Sequence, residues 1–116
     1  MEHLPDEILL SNFRGGDGAA LAELARRCER SLLGVALGLL GRDRESARDA
    51  VQETWLRVIR YAGGFRQASA FRTWLYRILV NQCRTIGQKK RRILRQMLWA
   101  HSVNEAPKRR RRLRRP

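Results

Sequence analysis

Residues 65–92, FRQASAFRTWLYRILVNQCRTIGQKKRR, decide how the chain is read. The stretch opens in a short polar loop, residues 65–69, whose Ser69 is placed to cap a helix. Phe71, Trp74, Leu75, Ile78 and Leu79 then recur at steps of three and four, the spacing of one helical face, with Gln82 or Ile86 next in line. The stretch closes in Lys89, Lys90, Arg91 and Arg92. Ile93, Leu94, Met97 and Leu98 keep the helical spacing, so the helix runs past Lys90, and Pro107 ends regular structure. A loop, a helix and a cationic end, in that order, fit a surface that holds a nucleic-acid strand.

Three helices precede it. Leu4, Ile8, Leu9 and Phe13 form the stripe of a short first helix, with Pro5 suited to its first turn and Asp6 and Glu7 complementing its dipole. The run Gly15-Gly16-Asp17-Gly18 breaks it, and Asp17 caps a second helix reaching about Leu40. Its core stripe is Leu21, Leu24, Ala25, Cys28, Leu32, Val35 and Leu39, and Gly41 stops it. Asp43, or Ser46 a little later, caps a third helix reaching about Tyr61. Ala47, Val51, Trp55, Val58 and Ile59 face inward there; Asp49, Gln52, Glu53, Leu56 and Arg57 stay outside, and Gly63-Gly64 ends the helix. With no strand pattern and no repeat, the expected fold is all-α, a compact three- to four-helix bundle over residues 1–98. Residues 99–116 are expected to form a disordered basic tail.

Charge is the strongest compositional signal. The formal net charge is +14, and residues 61–116 carry sixteen Lys/Arg against a single acid, Glu105. Residues 1–60 carry nine Lys/Arg against ten Asp/Glu. A basic block at 108–115 supplies seven of the cations, yet the second half stays strongly positive without it. Such asymmetry points to a polyanion, nucleic acid before membrane. A chain of 116 residues, 43% hydrophobic, suits one domain with a small core. It has no apolar run long enough to span a membrane. Glu2, Asp6 and Glu7 do not suit a secretory signal. Cys28 and Cys83 lack metal-ligand spacing and read as buried thiols in a reducing compartment, the alternatives being a disulfide or a metal. His3 and His101 have no companion motif, so no catalytic centre, metal or cofactor is expected.

Three surfaces remain, each with a plain alternative. Thr73, Arg77, Asn81, Arg84 and Gln88 share the polar face of the fourth helix, where Asn and Gln can read a base edge and Arg can hold phosphate or guanine. The alternative is a solvated face. Phe65, Arg66, Gln67 and Ser69 form a loop that can receive an unstacked base, unless Phe65 tucks inward as a staple. Asp49, Gln52, Glu53 and Leu56 make an acidic patch on a basic protein, suited to a positively charged protein partner or simply solvated.

Taken together, DAVQETWLRVIR (49–60), FRQASAFRTWLYRILVNQCRT (65–85) and the basic QKKRR resemble the second conserved region of a bacterial sigma-70 family factor, the extracytoplasmic-function or group IV type. The likeness covers residues 6–92 and includes Gln52-Glu53, Phe71-Arg72-Thr73-Trp74-Leu75 and Val80-Asn81 in the family's order. It implies a cytoplasmic transcription initiation factor. Asp49, Gln52, Glu53 and Leu56 would dock on RNA polymerase core at the β′ clamp helices. The loop and fourth helix would recognise promoter DNA, opening the −10 element and holding its non-template strand with a base flipped out. By the same match Phe65, Arg66, Ser69, Phe71 and Asn81 would form the base pocket. Arg72, Arg77, Arg84, Lys89, Lys90, Arg91 and Arg92 would hold phosphates.

The family ordinarily adds a second helical domain that reads the −35 element, and this chain stops before one could fit. A fragment, an altered reading frame, or a stand-alone −10 reader aided by its arginine tail would each account for that. A competing function is a basic helical module that binds nucleic acid, RNA included, non-specifically; a protein-interaction domain covered by an anti-sigma factor is compatible with the sigma reading.

Overall fold

The computed structural model describes residues 1–65 and 70–105. Among them the chain is all-α: α1 (Asp6–Arg14), α2 (Gly18–Leu39), α3 (Arg44–Tyr61) and α4 (Phe71–Glu105), with a 3-10 turn at Ala62–Gly64. The breaks fall where backbone chemistry requires them. Gly15 follows α1, and Gly16 takes a φ of 109°, open to glycine alone at little cost. Asp17 then accepts the Ala19 N–H at 3.0 Å and starts α2. After Leu40, Gly41 and Arg42 are both left-handed, at φ 65° and 68°, and the Arg42 N–H returns to the Leu37 carbonyl at 2.8 Å. Asp43, not Ser46, caps α3. Its carboxylate accepts the Ser46 N–H at 3.3 Å and the Ser46 hydroxyl at 2.8 Å.

The buried rows share Leu24, Cys28 and Leu32 on α2, and Ala47 and Val58 on α3, with the expected stripes and differ from them elsewhere. On α2 they are Ala20, Leu24, Cys28, Leu32 and Ala36; on α3, Ala47, Ala50, Thr54 and Val58. Ile8, Val35, Leu39 and Ile59, expected inside, are exposed, and Leu10 joins Leu9 in the core. Small residues occupy the centre because α2 packs against α3, and alanine lets two backbones approach closely. Larger Val51 and Trp55 pack at the flanks, half-buried. The Thr54 hydroxyl donates to the Ala50 carbonyl at 2.7 Å, so its burial leaves no polar group unpaired. From α4, Phe71, Leu75, Leu79 and Cys83 complete the core.

Arg27 ties the N-terminus to α2. Its guanidinium donates to the carbonyls of Met1, Glu2 and Leu4, to Asp6 on α1, and to Glu23 one turn back. Arg26 makes a two-pronged bond to the same Glu23, at 2.9 and 2.7 Å. Hydrogen bonds from Arg26, then Arg27, lower the Glu23 carboxyl to about 2. A group more acidic folded than unfolded stabilises the fold above its ordinary value of 4.5 and loses that contribution as pH falls to about 2. Glu23→Gln is therefore expected to lower the melting temperature at pH 7, with the gap to wild type closing between pH 4.5 and 2. A gap unchanged at pH 2 in thermal melts would assign Glu23 to packing instead.

The chain divides into a unit of Met1–Ile86 and one beginning at Gly87. In the second, α4 continues through Glu105, just short of Pro107, where regular structure was expected to end. No proline intervenes before Pro107, and Leu98, Ala100 and Gln96 favour helix. Ile93, Leu94, Met97, Leu98 and Trp99 are exposed there.

Candidate nucleic-acid interface

Because Phe71, Leu75, Leu79 and Cys83 bury one side of α4, the residues between them are turned outward. Arg72, Thr73, Tyr76, Arg77, Val80, Asn81 and Arg84 line an open groove of about 660 Å³. Three guanidinium groups and an amide thus share one surface. A polyanion can be neutralised there while a planar amide reads a base edge. The Tyr76 and Ser31 hydroxyls are hydrogen-bonded, which ties this face to α2.

The start of α4 is held from α1. No acidic residue lies in the first turn of α4. A helix start leaves N–H groups that call for an acceptor. Glu7 supplies it, accepting the Phe71 N–H at 3.2 Å, while Asp6 accepts from Arg72 Nε at 2.8 Å. Sequence reasoning gave Asp6 and Glu7 only to the dipole of α1. The missing acid at the start of α4 was the available signal, although it could not name a partner so distant in sequence.

Of the residues expected at DNA, Arg72, Arg77, Asn81 and Arg84 meet in the groove. Phe71 and Phe65 do not. Phe71 is wholly buried, and Phe65 tucks inward, its ring 6.3 Å from Phe71 in an edge arrangement and 5.0 Å from Trp74. Both rings lie in the core, Phe65 as the inward staple that was the alternative for this loop. An aromatic trio closes the junction where the chain enters α4, and stacking a base on it would require opening the core. Arg66 and Ser69 lie outside the described residues. Lys89, Lys90, Arg91 and Arg92 are exposed and belong to the second unit.

A smaller hollow of about 210 Å³ lies between α3 and α4, lined by Arg57, Tyr61, Trp74, Ile78, Asn81 and Gln82. Asn81 therefore borders both depressions. Arg57 and Tyr61 were missed in sequence because they sit on a different helix from the motif. The Arg60 guanidinium lies 5.4 Å from the centre of the Tyr61 ring. On α3, Asp49, Gln52 and Leu56 are exposed and Glu53 is half-buried. Glu53 pairs with Arg57 at 3.5 Å. Gln52 also borders a hollow of about 400 Å³ with Glu29, Leu33, Arg48 and Val51. Among the described residues no three His, Cys, Asp or Glu side chains gather as a metal site. No described helix is long and apolar enough to cross a membrane.

The Sigma-70 region 2 family model matches residues 24–93, and the chain belongs to that family. Its kin are of the extracytoplasmic-function type. It is 42% identical over 78 residues to the ECF RNA polymerase sigma factor SigM of Mycobacterium tuberculosis, covering 67% of this chain and 39% of that protein. It is 36% identical over 76 residues to the RNA polymerase sigma-H factor of Pseudomonas aeruginosa, covering 66% and 39%. Against the ECF RNA polymerase sigma-E factor of Haemophilus influenzae it is 36% identical over 80 residues, covering 69% and 41%. The chain thus spans about two fifths of the length of these relatives.

Proposed function

We propose that the chain is a transcription-initiation domain that docks on core RNA polymerase and holds the non-template strand of the promoter −10 element. The observation that carries this reading is the groove of Arg72, Arg77, Asn81 and Arg84, inside the stretch matched by the sigma family. Arginines supply the salt-dependent affinity, and the amide supplies discrimination. The exposed face of Asp49, Gln52 and Leu56, with Glu53 beside it, is the polymerase-docking surface, and its partner is the β′ clamp helices.

Binding of −10 and scrambled single strands, followed by fluorescence anisotropy across a salt series, tests the DNA half. Asn81→Ala is expected to reduce discrimination by about 1–3 kcal/mol with less loss of overall affinity. Arg77→Ala is expected to weaken every sequence and flatten the salt slope by about 0.7. Equal wild-type affinity for scrambled strands would refute base reading.

The exposed cations of the second unit, Lys89, Arg91 and Arg92 among them, favour a second reading as a non-specific nucleic-acid module. That reading requires deletion of residues 106–116 to abolish DNA binding and makes core polymerase irrelevant. Under the first reading the deletion weakens binding but preserves discrimination.

A further inference from the structure

We propose that Asp6 occupies, in the free protein, the place that a nucleic-acid phosphate takes at Arg72, and releases that guanidinium when a strand enters the groove. The inference rests on the groove being a nucleic-acid surface. Asp6 divides its two oxygens between two arginines. Oδ1 accepts from Arg27 at 3.2 Å and Oδ2 from Arg72 at 2.8 Å. The arginines are not equivalent. Arg27 is only 15% exposed and also holds three backbone carbonyls and Glu23, so it is fixed in place. Arg72 is 47% exposed, and its bond to Asp6 is its ion pair among the described residues. It also lines the groove.

An anionic phosphate oxygen can accept from the Arg72 guanidinium just as Asp6 Oδ2 does. Exchange is cheap because the Asp6 charge is not stranded when Arg72 leaves: Arg27 still pairs with it. Asp6 thus holds the Arg72 side chain near the position a phosphate needs. The same bond lowers affinity by competing for it.

The test uses the full chain and a labelled mixed-sequence DNA strand, with anisotropy over a salt series. Asp6→Asn should tighten binding roughly two- to fivefold, the worth of a partly exposed ion pair. Arg72→Ala should weaken binding and flatten the slope by about 0.7. The double variant should match Arg72→Ala, because removing Asp6 helps only when Arg72 is present. Asp6→Glu, which keeps the charge, should stay near wild type. Equal tightening by Asp6→Asn with and without Arg72 would overturn the proposal, as would an unchanged slope for Arg72→Ala or tightening by Asp6→Glu.

Since Asp6→Asn also weakens the Arg27 contact, nuclear magnetic resonance of the wild-type arginine Nε–H groups gives an independent reading. The Arg72 signal should move as strand is added while that of Arg27 stays; the reverse would overturn the proposal. If the groove itself is misread, Arg77→Ala and Arg84→Ala leave the slope unchanged. If only this exchange is wrong, those variants flatten it and Arg72→Ala does not.

Discussion

Phe71→Ala is expected to destabilise the domain by about 3–5 kcal/mol. Its ring has no solvent exposure and meets Phe65 and Trp74 at centroid distances of 6.3 and 6.1 Å. Truncation removes the buried ring, leaves a cavity and unseats two aromatic neighbours. The loss is a large part of the roughly 5–15 kcal/mol that holds such a domain together. The melting temperature should fall by roughly 15–30 °C, read from circular dichroism. Phe71→Leu, which keeps most of the volume, should cost less than about 1.5 kcal/mol. The comparison separates anchor from binding residue. At a temperature where Phe71→Ala remains folded, its affinity for single-stranded DNA should match wild type. A variant that melts like wild type yet loses DNA would return the ring to the interface.

Gln52→Ala combined with Glu53→Lys is expected to weaken binding to core RNA polymerase by about ten- to a hundredfold, measured by competition or retention on immobilised core. The patch is acidic on a chain of net charge +14, so reversing one charge at its centre changes both steering and contact. The fold should not suffer. The Glu53–Arg57 pair that is lost is half-exposed and spaced i,i+4, worth only about 0.3–0.5 kcal/mol. Unaltered melting with lost polymerase binding is the signature of a docking face. Retention within about twofold of wild type would remove α3 from the docking surface.

Which features were legible in the sequence follows a physical divide. Caps and breaks were readable because they are local: Asp17 bonds a neighbour two residues on, and Gly41 adopts the left-handed turn beside it. The polar face of α4 was readable because helical spacing alone brings Arg77, Asn81 and Arg84 together. The buried rows were read in part: Leu24, Cys28, Leu32, Ala47 and Val58 were expected inside, while large apolar residues drew attention that belongs to Ala20, Ala36 and Ala50. Alanine contributes little area but decides how near two helices can lie, and that is settled by the partner helix. Phe65 illustrates the same limit. Loop position left the ring two places, a base-receiving loop or an inward staple, and contacts with Phe71 and Trp74 hold it inward. The links from Asp6 and Glu7 to α4 join the two ends of the folded unit, and no periodicity encodes them.

Cys28 on α2 and Cys83 on α4 are free and buried, and burial pushes both thiols up. A thiolate is the reactive form, and here it is disfavoured wherever the core is closed. An alkylating reagent therefore meets either sulfur only when the helices part. The domain carries a chemical clock at two stations, and the rate at which each thiol is capped counts how often α2 and α4 breathe.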